Sequence, residues 1–191
     1  MRINDWKKDI FSIPNMLSLF RILLIPVYIT IYYNATQPED YYLAAMILSV
    51  SCLTDLVDGK IARQYNMVTT LGKILDPLAD KATQFALIIC LAARYPVLWN
   101  LLVLFIVKES FQLIAGSISL KRGKMLKGAL LSGKVSTTVL FVSLIFLMIP
   151  SLNAKLVLSI AFINIIAMSI SFINYIFTYF CSNNKFQTID K

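Results

Sequence analysis

The chain has 191 residues, of which 58% are hydrophobic, and its mean hydropathy is +0.73. A soluble domain could not cover so much apolar surface with polar side chains, so the composition excludes a soluble globular protein and indicates an integral membrane protein. The net charge of +8 does not indicate nucleic-acid binding, because the basic residues lie in short connections between apolar segments. The three cysteines lack CxxC spacing and there is no histidine, so neither redox chemistry nor a zinc site is expected.

The first twelve residues predict an amphipathic helix in the membrane interface, because Ile3, Trp6 and Ile10 recur at helical spacing among basic residues. Six apolar segments follow, at about 13–33, 41–63, 72–94 and 96–120, then one ending near 148 and one at 155–180. We therefore predict an all-α integral membrane fold. It has an interfacial helix over 1–12, six transmembrane helices within a domain over 13–181, and a polar tail over 182–191.

Six spans would place both termini on the same side of the membrane. That side collects the basic residues of the N-terminal helix, the turn at Arg63, the connection 121–127 and the tail. The opposite side holds only Arg94 and Lys155 among basic residues. The positive-inside rule makes the first side cytoplasmic, so we expect a multi-pass protein of the cell membrane with both termini in the cytoplasm.

Four aspartates interrupt the second and third apolar segments. Asp55 and Asp58 are three residues apart, Asp76 and Asp80 are four apart, and each pair shares a helix face. The turn over 64–70 lets the two helices pair antiparallel, so the four carboxylates can converge at the cytoplasmic side. Their mutual repulsion is relieved by a divalent cation, and carboxylates suit Mg²⁺ or Mn²⁺. Two bridged ions would suit a pyrophosphate.

The residues around these aspartates fit a phosphorylated substrate. Gly59 and Ala62 are small enough for a phosphate group to approach the backbone. Arg63 offers a planar fork of donors for phosphate oxygens, and Gly72 permits close helix packing. The stretch predicts a metal-dependent site that acts on a phosphorylated compound.

The complete pattern is D-x₂-D-G-x₂-A-R-x₈-G-x₃-D-x₃-D, and it resembles the signature of the CDP-alcohol phosphotransferases. Its positions are Asp55, Asp58, Gly59, Ala62, Arg63, Gly72, Asp76 and Asp80. The resemblance implies a homodimeric membrane enzyme that moves a phosphatidyl group from a CDP-linked lipid to an alcohol and releases CMP. It implies metal binding by Asp55, Asp58 and Asp76, with Asp80 as general base and further metal contact. The implied CDP site comprises Asn15, Asp58, Gly59, Ala62, Arg63 and Gly72.

The acceptor alcohol is less well defined. The segment 13–21 resembles the glycerol-type branch of the family, which implies CDP-diacylglycerol as donor and an acceptor site containing Arg21, Lys108 and Lys134. Phosphatidylglycerophosphate synthases usually have a second arginine after the Lys108 position and a second lysine at Ser136. Glycerol 3-phosphate is the first expectation, and phosphatidylglycerol, which would give cardiolipin, is the alternative.

Other interpretations remain open at this point. Arg21 could reach toward the headgroups from the membrane interface instead of binding phosphate. An intramembrane prenyltransferase also uses aspartates and Mg²⁺, but with different spacing and more spans. A cation transporter or channel would line its pathway with aspartates, but would not need the Gly59, Ala62 and Arg63 pattern.

Overall fold

The computed structural model describes the backbone over 13–64, 72–126, 130–181 and 186–188, and the side chains over 15–51, 75–123 and 130–181. Within these residues the chain forms six α-helices and two short β-strands. They are α1 (Ile13–Tyr33), α2 (Pro38–Gln64), α3 (Gly72–Arg94), α4 (Leu98–Lys121), β1 (Lys124–Leu126), α5 (Leu131–Leu147), α6 (Ala154–Cys181) and β2 (Phe186–Thr188). The predicted interfacial helix over 1–12 lies outside the described residues.

The helices follow the predicted apolar segments closely. Among the described residues, three stretches are long and apolar enough to cross a membrane, namely Asn15–Tyr33, Leu98–Lys121 and Ala154–Cys181. The apolar helix α5 is shorter, with 17 residues. An α-helical membrane protein is therefore confirmed, whereas the number of six spans stays a prediction.

Local hydrogen bonds fix the helix ends. The Asp40 carboxylate accepts the backbone N–H groups of Thr36 and Gln37 at 2.9 and 3.0 Å, so it caps α2 from the helix's first turn. Asn153 caps α6 by accepting the N–H of Lys155 at 3.1 Å. After α4, Gly123 adopts φ of +70°, which turns the chain out of the helix and into β1.

The described residues up to Cys90, together with Met148–Pro150, form one compact unit. Within it, side chains of α1 meet α3 at three levels: Ser18 at Asp76, Arg21 at Asp80, and Tyr28 beside Cys90. Because the residue numbers rise together along both helices, α1 and α3 run in the same direction. This is the arrangement expected of first and third spans that cross a membrane in alternation.

The second compact unit comprises Leu91–Leu147 and the described residues from Ser151 onward. Here α6 packs on α4 and α5, and the Phe111 ring of α4 meets Phe172 of α6 edge-on at 5.4 Å. Strands β1 and β2 pair antiparallel, with Met125 opposite Gln187. The all-α prediction missed this pair, because three residues of a basic turn and three of a polar tail carry no strand pattern of their own.

Candidate active site

A line of polar side chains runs along one face of α1. Asn15, Ser18 and Arg21 follow one another at intervals of three residues, which places them on the same side of the helix. All three residues are buried, with exposed fractions of 1%, 0% and 2%. Polar groups this deeply buried in an apolar helix require partners, and α3 supplies those of Ser18 and Arg21.

Two aspartates of α3 receive the α1 side chains. The Ser18 hydroxyl donates to Asp76 Oδ1 at 2.5 Å, and the Arg21 guanidinium forms an ion pair with Asp80 Oδ1. Asp76 and Asp80 are four residues apart, so they lie one helical turn apart on the same face. The structure thus joins two predicted site residues, Arg21 and Asp80, in direct contact.

The two partners of this ion pair differ in their exposure at the protein surface. The Arg21 side chain is only 3% exposed, whereas the Asp80 side chain is 46% exposed. The guanidinium therefore acts from within the protein and offsets the negative charge of a carboxylate that outside molecules can reach. This burial and the contact with Asp80 favour a role for Arg21 at the site over the interface interpretation, which stays untested.

The remaining members of the signature are described only in part. Asp55, Asp58, Gly59, Ala62 and Arg63 lie in the last turns of α2, and Gly72 is the first residue of α3. Their side chains are outside the described residues, so the convergence of all four aspartates stays a prediction. Among the side chains that are described, no three acidic, cysteine or histidine groups come together.

The two lysines predicted for the acceptor site belong to the second unit. Lys108 of α4 is 1% exposed, and its ammonium group contacts the neighbouring Glu109 carboxylate at 2.8 Å. Lys134 lies exposed in the first turns of α5. Ser136, at the position where a second lysine was expected, is buried, and its hydroxyl donates to the Gly133 carbonyl at 3.0 Å.

Tight packing surrounds this part of α5. The Tyr175 hydroxyl of α6 lies so close to Gly133 that a Cβ atom added there would be 2.6 Å from it. The same hydroxyl is hydrogen-bonded to the Leu130 backbone. A side chain at position 133 would therefore displace Tyr175, a constraint that the sequence pattern around Gly133 did not indicate.

Sequence reasoning overlooked Ser18. Serine is common in membrane helices, where its hydroxyl usually bonds to the backbone of its own helix, as Ser49 does with the Ala45 carbonyl at 2.8 Å. The available signal was its position midway between Asn15 and Arg21 on one helix face. A polar line at spacing three within an apolar span indicates a shared partner on another helix.

A carboxylate–arginine pair of this kind, held between apolar helices, is typical of a functional site in a membrane protein. A sequence model of the CDP-alcohol phosphatidyltransferases matches residues 11–179, and the chain belongs to this family. It is 42% identical over 83 residues to a CDP-diacylglycerol–glycerol-3-phosphate 3-phosphatidyltransferase of Rickettsia bellii, covering 44% of this chain and 45% of that protein.

The protein of the same name from Escherichia coli K12 is 36% identical over 89 residues, which cover 47% of this chain and 48% of the relative. These matches thus span about half the length of the curated relatives. They agree with the family that the sequence pattern indicated.

Proposed function

We propose that this protein transfers the phosphatidyl group of CDP-diacylglycerol to a glycerol-type alcohol and releases CMP. The observation that carries the proposal is the α1–α3 site, in which Arg21 holds the last aspartate of the family signature, Asp80, at an accessible position. Membership of the family and the names of the two relatives support the same reaction.

In this proposal Asp80 is the general base. It accepts the proton of the acceptor hydroxyl while the hydroxyl oxygen forms a bond to phosphorus and the bond from phosphorus to CMP breaks. A carboxylate has two oxygens with several lone pairs, so contact with Arg21 and acceptance of a proton are compatible. Arg21 orients the carboxylate, and Ser18 does the same for Asp76 one turn away.

The residues also fit the divalent ions that the signature implies. Asp76 and Asp80 offer carboxylate oxygens one turn apart on α3, the donor chemistry that Mg²⁺ and Mn²⁺ prefer. Asp55, Asp58, Asp76 and Asp80 would hold two such ions. When bound, the ions would neutralise the charge of the pyrophosphate and of the departing CMP.

The donor nucleotide is proposed to lie near the beginnings of α1 and α3 and the end of α2. Buried Asn15 opens the polar line of α1, on the same face as Ser18 and Arg21. Gly72 is the first residue of α3. Together with Asp58, Gly59, Ala62 and Arg63 of α2, these residues would form the CDP site.

Glycerol 3-phosphate is the acceptor we favour, because both relatives are named for it. Arg21, Lys108 and Lys134 would serve its phosphate. Phosphatidylglycerol is the second candidate, and one observation favours it. Ser136 stands where a second lysine was expected and turns its hydroxyl onto its own helix, so this position supplies no positive charge for a free phosphate.

We further propose six spans, a homodimer, and a location in the cell membrane with both termini and the site on the cytoplasmic side. The parallel course of α1 and α3 supports the alternating spans. A groove of about 700 Å³ between α5 and α6, lined mainly by apolar side chains such as Val135 and Ile170, supports contact with lipid chains. The division into an interfacial helix, a transmembrane catalytic domain and a tail is part of the same proposal.

The reaction can be tested with purified protein in mixed micelles containing CDP-diacylglycerol. CMP release should require an added alcohol and Mg²⁺ or Mn²⁺, and it should stop with a chelator. Release with glycerol 3-phosphate supports the first acceptor, and release with phosphatidylglycerol alone supports the second. Failure of both alcohols in the presence of metal contradicts the proposed function.

A further inference from the structure

Gln84 is a buried polar residue of α3 whose side-chain oxygen has no hydrogen-bond partner among the described residues. Gln84 is only 8% exposed, and its side-chain oxygen Oε1 is buried without a hydrogen-bond partner in the part of the chain that the structure describes. An unpaired buried amide oxygen is costly, and native proteins retain few of them. Such a group calls for a partner from outside the residues that the structure describes.

The position of Gln84 relative to the site is defined by the helix. Gln84 follows Asp80 by four residues in α3, so the two side chains emerge on one face with Cβ atoms about 5–6 Å apart. Asp76 is the corresponding neighbour on the other side of Asp80, and it already accepts the Ser18 hydroxyl. Of the two positions one turn from Asp80, Gln84 is the one with an unused buried acceptor atom.

Gln84 also lies on the side of Asp80 away from the proposed nucleotide site. Gly72 opens α3, and the predicted nucleotide residue Asn15 lies near the start of α1, which runs parallel to α3. Along α3 the order is therefore Gly72, then Asp80, then Gln84. The part of an acceptor alcohol that extends from Asp80 away from the donor nucleotide would therefore meet Gln84.

Building on the proposed function, we propose that Gln84 determines acceptor specificity by accepting a hydrogen bond from the hydroxyl next to the attacking one. Both candidate acceptors present a vicinal diol, in which the two oxygens are separated by two carbons. With one hydroxyl at Asp80, the second lies within reach of an amide one helical turn away. The chemistry recognised is the diol, whether it belongs to glycerol 3-phosphate or to the headgroup of phosphatidylglycerol.

The test compares each diol with an acceptor that lacks the middle hydroxyl. Glycerol 3-phosphate is paired with 3-hydroxypropyl phosphate, and phosphatidylglycerol with phosphatidyl-1,3-propanediol. We expect the wild-type protein to prefer the diol by about 10- to 100-fold in kcat/KM, as sites that bind a substrate hydroxyl reject analogues without it. In Gln84→Met, which keeps the length of the side chain but not the acceptor atom, the preference should fall to within about threefold.

Thr83 provides a matched control on the adjacent residue of α3. It is also buried, with 6% exposed, but its hydroxyl already donates to the Ala79 carbonyl at 2.9 Å within the helix. Thr83→Val should leave the diol preference unchanged. A merely structural role of Gln84 would lower the rates with both members of each acceptor pair equally and leave their ratio intact.

Gln84→Asn, which withdraws the amide by one methylene, serves if Gln84→Met does not accumulate in the membrane. It should lower the preference at least threefold, since hydrogen bonds weaken steeply with distance. An unchanged ratio in either variant, or a wild-type protein that does not discriminate, overturns the role of Gln84 while CMP release still supports the proposed function. Absence of CMP release with both diols overturns the proposed function and this role with it.

Discussion

Ser18 is completely buried on α1, and its hydroxyl reaches Asp76 across the contact between α1 and α3. Hydrogen bonds to charged groups contribute about 1.5–3 kcal/mol, and every 1.4 kcal/mol corresponds to about tenfold. We therefore expect Ser18→Ala to lower kcat/KM for CMP release by about 10- to 100-fold, because Asp76 loses the group that orients it.

Ser49→Ala is the control for Ser18→Ala. Ser49 is exposed on α2, and its hydroxyl bonds to the Ala45 carbonyl of the same helix. Its removal should change kcat/KM by less than about twofold, as expected for surface substitutions within about 0.5 kcal/mol. Equal effects of the two substitutions would show that the Ser18 hydroxyl has no special role at the site.

Two glycines of the second unit allow a packing prediction. An added Cβ at Gly133 would lie 2.6 Å from the Tyr175 hydroxyl and 2.9 Å from its ring, whereas one at Gly116 would lie 3.5 Å from the Tyr179 hydroxyl. Overpacking costs about 1–3 kcal/mol, while replacing a helical glycine by alanine gains about 0.5–1 kcal/mol. Gly133→Ala should therefore lower the thermal unfolding midpoint in detergent, and Gly116→Ala should leave it unchanged or raise it. The packing account fails if Gly133→Ala is the more stable of the two.

At the scale of helices and strands, Asp40 makes the stability of the start of α2 depend on pH. The N–H groups of Gln37 and Thr36 donate to its carboxylate and hold the pKa of Asp40 below its usual range. A lowered folded-state pKa means that the cap stabilises the protein fully above the pKa of the unfolded chain, about 4. This stabilisation disappears as the pH falls through the lower folded-state value.

The expected result is a pH-dependent difference between wild type and Asp40→Ala. The variant should unfold at a lower temperature at pH 6, and the two unfolding midpoints should converge as the pH is lowered through and below about 4. Glu39→Ala removes the other acidic side chain of the same helical turn and should give a smaller difference at pH 6. A difference between wild type and Asp40→Ala that does not vary with pH would exclude the capping contribution.

The helices were largely predictable from the sequence, because an apolar segment of membrane-spanning length has few other stable structures. Gly72 and Arg94 bound α3 as predicted, while α2 begins at Pro38, three residues earlier than expected. The earlier start reflects the capping by Asp40, a residue that lies just before the predicted apolar segment 41–63. Pairing of β1 with β2 could not be predicted, because it joins residues some 60 positions apart, such as Leu126 and Phe186.

For the candidate site, the sequence predicted the aspartates but not the residues that contact them. Asp76 and Asp80 stand out because carboxylates are rare at membrane depth, and their fixed spacing identified the family. The partners of these aspartates could not be deduced in the same way. Whether Ser18 bonds to its own helix or to another, and whether Gln84 has a partner, depends on how helices pack rather than on residue spacing.

At the scale of the whole molecule, the parallel course of α1 and α3 and the distribution of charge make a joint prediction about topology. The connection at 34–37, which follows α1, and the one that begins at Tyr95, which follows α3, should face the same side of the membrane. That side should be external, because it carries few basic residues, whereas Arg122 at the end of α4 should be cytoplasmic.

Single cysteines test this topology after Cys52, Cys90 and Cys181 have been replaced by alanine in a variant that still releases CMP. A membrane-impermeant maleimide added to intact spheroplasts should label Thr36→Cys and Pro96→Cys. It should label Arg122→Cys only after permeabilisation. All three positions are exposed in the protein, so differences in labelling report the side of the membrane rather than burial.

Opposite labelling of Thr36→Cys and Pro96→Cys would contradict alternating spans, since parallel helices must end on the same side. Reversal of all three would retain the alternating spans but overturn the cytoplasmic placement of the site, because the ends of α2 and the start of α3 would then face outward.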